Sequence, residues 1–194
     1  MSTNRHTVSA LVEDRPGVLN RVSSLFRRRG FNIESLAVGT TEEPGISRMT
    51  IVVEGPPSIA DQVQKQLDKL IDVVTVETLN EDESVVRELA LIKVACRPDQ
   101  RREILDVVDI FRGSVVDVST TTVIIQLTAA ADTLNALIEN LRPYGIREMV
   151  RTGRIALARG PRTTATHQHE TEEERRFHQE IGRLPEGELP FSSK

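Results

Sequence analysis

The sequence predicts an α+β protein of two βαββαβ domains, each a four-stranded antiparallel sheet with both helices on one face, followed by a disordered C-terminal tail. Three observations predict it. Apolar residues alternate over short segments and recur at helical spacing over longer ones, in the order strand, helix, strand, strand, helix, strand. That order repeats after an acidic break at residues 80–84. Beyond Gly160 the periodicity stops, and a charged, Glu-rich stretch follows that cannot close a core. The boundaries are therefore 1–79 for the first domain, 80–84 for a linker, 85–160 for the second domain and 161–194 for the tail.

In the first domain, residues 7–13 place Val8, Ala10 and Val12 on one side of an extended chain, as a half-buried strand does. Asp14-Arg15-Pro16-Gly17 turns the chain, and Val18, Val22, Leu25 and Phe26 then mark one helical face. Arg27, Arg28 and Arg29 complement the negative end of that helix and Gly30 caps it, so the three cations need no phosphate to explain them. Residues 31–41 and 47–54 read as an antiparallel pair around Pro44-Gly45. A second helix starts near Ser58, with Ile59, Val63, Leu67 and Leu70 on one face, and residues 72–78 return as a Val-rich strand.

The second copy shares the pattern without obvious residue identity. Residues 88–96 read as a strand, and Ile104, Leu105, Val108 and Phe111 as a helical face. Short strands at 114–118 and 122–128 follow, then a helical face of Leu134, Leu137, Ile138 and Leu141, then a strand at 146–157 interrupted at Gly153.

Of the 194 residues 38% are hydrophobic but only 3% aromatic, so the cores must be built from Val, Ile and Leu. A net charge of -4 offers no field for nucleic acid or an anionic membrane. The strands at 7–13 and 47–54 also lack the aromatic platform of an RNA-recognition sheet. Cys96 stands alone, so no intrachain disulfide can form. No apolar run approaches the roughly 18 residues that span a bilayer, and the first residues are polar, so the cytoplasm is the expected location. His167, His169 and His178 fall in the tail, where nothing rigid converges them on a metal. Dinucleotide, P-loop, zincin and nucleophile-elbow motifs are missing, and neither a catalytic residue nor a metal ligand is assigned.

What remains is the turn at residues 13–19, where a glycine opens a helix and exposes backbone N–H groups able to meet an anion such as a carboxylate. Pro16 fixes the approach, and Gly17 lets a ligand reach the main chain. Taken alone the turn favours a plainer reading, an ordinary strand-to-helix connection in which Asp14 caps or is solvated and Gly17 is only conformational.

Three strings resemble the ACT domain of acetolactate synthase small subunits: Asp-Arg-Pro-Gly-Val-Leu (14–19), Arg-Arg-Gly-Phe-Asn-Ile-Glu-Ser-Leu (28–36) and Ser-Arg-Met-Thr (47–50). The resemblance continues through Ile-Phe-Arg-Gly (110–113), Val116-Asp117-Val118 and Arg151-Thr152-Gly153, and covers roughly residues 7–160. It implies two ferredoxin-like domains, an N-terminal ACT domain and a C-terminal ACT-like one. It also implies a non-catalytic subunit, homodimeric through its ACT domains, that activates a large catalytic subunit. Feedback inhibition by valine or a related branched-chain amino acid belongs to the same expectation. Thiamine diphosphate, magnesium and FAD are expected on the catalytic partner and no cofactor on this chain.

In that reading Gly17 and Val18 receive the effector carboxylate, Asp14 favours its ammonium, Asn20 lies beside them, and Asn32 contributes an amide. Leu19, Ile33 and Leu36 surround the aliphatic side chain, although Ile33 and Leu36 also fit a plain core role. Two other functions fit the same features: a stand-alone ACT sensor controlling some other enzyme or a repressor, and, much less well, an acylphosphatase-like hydrolase using Arg15 and Asn32.

Overall fold

The computed structural model describes residues 5–164. Its first half runs β1 (Arg5–Glu13), α1 (Val18–Arg29), β2 (Ile33–Thr40), β3 (Ile46–Glu54), α2 (Ser58–Leu67) and β4 (Val73–Leu79). The strands pair antiparallel in the order β2-β3-β1-β4, which leaves β2 at an edge. Val8, Ala10 and Val12 form one buried cluster with Val18, Val22, Leu25 and Phe26 of α1 and with Val63 and Leu67 of α2. Each of these Val, Leu and Phe side chains contributes about 1.5–3 kcal/mol when fully buried, so this apolar face holds both helices on the sheet.

The second half runs β5 (Ser84–Ala95), α3 (Arg101–Ile110), β6 (Ser114–Val118), β7 (Thr122–Ala129), α4 (Ala131–Leu141), a 3₁₀ turn (Arg142–Tyr144), β8 (Ile146–Arg151) and β9 (Ile155–Ala158). Its sheet has the order β6-β7-β5-β8, and β9 pairs with the first part of β5. Ile92, Val94, Ile104, Val108, Leu134 and Leu137 are at the centre of the second core.

Several details depart from the sequence reading. β5 begins at Ser84, inside the segment expected to be a linker, because residues 84–87 pair antiparallel with residues 155–158. Leu105 is exposed, and the α3 face is formed by Ile104 and Val108 with Val107 and Phe111 packed beside them. Residues 161–164, expected to start the tail, lie on the fold. Arg162 pairs with Glu77 and with Glu83, the latter at 3.1 Å, and Thr164 is buried. The remaining tail, with its three histidines, falls outside the described residues.

β1 is buried on both faces rather than one: Thr7 and Ser9, which point away from the helices, are 2% and 0% exposed. Arg48 Nη1 donates to Ser9 Oγ at 2.8 Å, so this buried hydroxyl is satisfied. The β5–β9 ribbon supplies the cover on that side, where Val85, Arg87, Ile155 and Leu157 line a cleft with β2 and with Arg48 and Thr50 of β3. Among the described residues no helix is long and apolar enough to cross a membrane.

Candidate functional site

The 13–19 turn takes its form from Pro16 and Gly17. Gly17 has φ 93°, in the left-handed region that favours glycine, and it starts α1 without a side-chain cap. Val18 N–H donates to the Arg15 carbonyl at 3.4 Å, and Arg21 N–H to the Gly17 carbonyl at 3.0 Å. Leu19 and Asn20 N–H find no acceptor among the described residues. No acidic residue stands in the first turn of α1, so its positive end is uncompensated. Asp14, Gly17, Leu19 and Asn20 are exposed, and Val18 points into the core. The arrangement turns two helix N-terminal N–H groups toward solvent beside an exposed leucine, a geometry able to meet an anion.

One residue that the sequence reading took only as the start of a strand fixes this turn. Asp72 has a side chain that is 2% exposed, and it accepts from Arg15 Nε at 3.1 Å, from Arg15 Nη2, and from Arg21 Nη1 at 2.7 Å. Its carbonyl accepts Glu13 N–H at 2.9 Å, and Asp14 N–H donates to the Gly45 carbonyl at 2.7 Å. The hydrogen bonds from Arg15, with the Arg21 charge beside them, hold the Asp72 carboxyl below its ordinary value against the opposing effect of burial. No local pattern marks an aspartate 51 residues from Arg21 as its anchor, which is why sequence spacing missed it.

A depressed carboxyl stabilises the fold above its unfolded-state pKa of about 4, and that contribution is lost as pH falls through the folded value. Asp72→Asn is therefore expected to lower the melting temperature at pH 7 by roughly 5 °C or more. The gap to the wild type should narrow below pH 4. Thermal melts recorded from pH 7 to 3 check this, and a gap that does not change with pH would remove the electrostatic account.

Asn32, Ile33 and Leu36 lie elsewhere. Ile33 pairs with Val53 and Val53 with His6, whereas the turn follows Glu13, which pairs with Ile46. The two groups thus sit at opposite ends of one sheet, roughly 20 Å apart at about 3.3 Å per strand residue. Asn32 is exposed, and Ile33 and Leu36 pack against the first core. A bulge between Ile33 and Ser35 shifts the register of β2. Within one chain Gly17 and Asn32 cannot touch one small ligand. The same separation keeps Arg15 from Asn32 within one chain, and against a hydrolase built on that pair the Arg15 guanidinium is already engaged by Asp72 and Glu13.

Comparison with known proteins agrees with this architecture. Residues 8–75 match the family described as AHAS small subunit-like ACT domain, and residues 87–160 match that described as small subunit of acetolactate synthase. The acetolactate synthase small subunit of Mycolicibacterium smegmatis is 54% identical over 160 residues, covering 82% of this chain and 94% of that protein. The Bacillus subtilis acetolactate synthase small subunit is 46% identical over 164 residues, covering 84% and 95%. The crystal structure of the acetolactate synthase small subunit from Thermotoga maritima superposes with a TM-score of 0.77 at 42% identity, covering 81% of this chain and 99% of that one. With both halves matched and both cores assembled in the same order, this chain belongs to the acetolactate synthase small subunit family.

Proposed function

We propose that this chain is a non-catalytic regulatory subunit that activates a large acetolactate synthase subunit and makes it sensitive to valine or a related branched-chain amino acid. The observation that carries the proposal is the uncapped start of α1 at one end of the first sheet, with the Asn32 amide at the other end and between them a β2 edge that no strand among the described residues pairs. An antiparallel two-fold pairing of two β2 edges would set the Asn32 end of one chain beside the Gly17 turn of its partner. Two half-sites would then complete two pockets. An α-amino acid fits such a pocket: its carboxylate meets the N–H groups of Leu19 and Asn20, Asp14 favours its ammonium, and Leu19 offers apolar surface.

In this proposal the reaction chemistry belongs to the large subunit, which would carry thiamine diphosphate, magnesium and FAD, and the assembly would work in the cytoplasm. A stand-alone sensor would share this pocket but not the partner.

The test is reconstitution. The isolated chain is expected to form no acetolactate, to raise the rate of the large subunit, and to bind valine, leucine or isoleucine in a calorimetric titration. Equal rates with and without the chain would sink the activator reading, and the absence of binding heat for all three amino acids would sink the effector reading.

A further inference from the structure

Two of the strings singled out in the sequence, 28–36 and 151–153, meet in space although 119 residues separate the bonded pair. Arg154 N–H donates to Ser35 Oγ at 3.2 Å. Gly153, at φ 77°, comes so close that a Cβ on it would stand 2.7 Å from Ser35 Oγ and 3.2 Å from Ser35 Cβ. The contact thus depends on a left-handed residue with no side chain.

Behind this contact the 151–154 segment is fastened to the second domain. Arg151 Nε donates to Glu88 at 3.0 Å and Arg151 Nη1 to Asn135 of α4 at 2.9 Å. Thr152 N–H donates to the Leu89 carbonyl at 3.0 Å, and Thr152 Oγ1 accepts Leu89 N–H at 3.2 Å. The Arg154 guanidinium, 12% exposed, pairs with Glu81. In front of it Ser35 sits at the β2 bulge, between Ile33 and Leu36 and three residues after Asn32. A polar cleft of about 510 Å³ borders the junction, lined on one side by Glu34, Ser35 and Leu36 and on the other by residues 151–154.

We infer that Ser35 and the Gly153–Arg154 peptide are positioning residues that link the Asn32 end of β2 to the second domain, through which effector occupancy reaches the catalytic subunit. The inference rests on the proposed effector site. A ligand drawn to Asn32 acts on a strand whose Ser35 hydroxyl is bonded to the second domain. A small displacement of Ser35 would lengthen or break the bond from Arg154 N–H, which is how a change at Asn32 would be felt across the junction.

The experiment pairs binding with response. Ser35→Ala removes the acceptor and Gly153→Ala wedges the contact apart. The isolated chains are titrated with valine by calorimetry, and the reconstituted complexes are assayed for valine inhibition. Both variants are expected to bind valine within about twofold of the wild type. Their inhibition curves should move to higher valine by roughly fivefold or more. Adding Ser35→Ala to Gly153→Ala should cost less than Ser35→Ala costs alone, because the contact is already lost. Inhibition curves that superimpose on the wild type would overturn the inference. So would a matching loss of affinity in the isolated Ser35→Ala chain, which would make Ser35 a ligand contact. A wild-type chain that takes up no valine overturns the effector reading itself, and so is distinguishable from a failure of the coupling alone.

Discussion

A complex reconstituted with Gly17→Asp is expected to stay activated and to resist valine at concentrations that silence the wild type. The new carboxylate would lie at the positive end of α1, where the Leu19 and Asn20 N–H groups have no acceptor among the described residues. It would both repel the effector carboxylate and act as a competing intramolecular ligand. Gly17 has no heavy atom near the place a Cβ would take, so the substitution meets backbone strain but no clash. Gly17→Ala carries the same strain without the charge and is the control. A loss of valine response of tenfold or more is expected for the aspartate, about the loss of a charge-assisted hydrogen bond, and much less for the alanine. Asn32→Ala should give the same phenotype from the other end of β2. Unchanged inhibition in both Gly17→Asp and Asn32→Ala would place the pocket elsewhere, and loss of activation with inhibition would assign these residues to the subunit contact.

Ile92→Ala should have the largest effect on stability, about 3–4 kcal/mol, by removing three buried carbons from the centre of β5. Ile92 is fully buried and paired with Ile125 on one side and Met149 on the other, so little can move in to fill the space. Against a total of about 5–15 kcal/mol this is a large fraction. Urea unfolding followed by circular dichroism should show a lower midpoint with an unchanged slope. Leu105→Ala, on the exposed side of α3, should cost under about 1 kcal/mol. Equal losses at the two positions would contradict the core assignment.

What the sequence revealed and what it hid divide along the distance over which each feature is decided. The helix faces at Val18, Val22, Leu25 and Phe26 and at Leu134, Leu137, Ile138 and Leu141 were legible, because a 3.6-residue period is written in neighbouring residues and all eight are buried. The open start of α1 was legible for the same reason. The pairing of residues 84–87 with 155–158 was not, since no local rule ties a strand to a partner some 70 residues away, and the acidic residues before Val85 looked like a spacer. Burial of Thr7 and Ser9 was hidden by the same remote ribbon: polar residues that alternate with Val8 and Ala10 read as solvent-facing. The candidate site residues could be picked out by type, but their positions relative to one another could not. Only the register of β1, β2 and β3 reveals that Gly17 and Asn32 are at opposite ends.

That opposition has a genetic consequence. If every complete pocket draws its helix end from one chain and its amide from another, two different defects need not add up to a defective assembly. A dimer that pairs a Gly17→Asp chain with an Asn32→Ala chain carries both lesions in one pocket and neither in the other. Random mixing of the two purified variants would put about half of the dimers in that hybrid class. Valine response should therefore reappear in the mixture although each parent lacks it, so two insensitive alleles expressed together would complement each other.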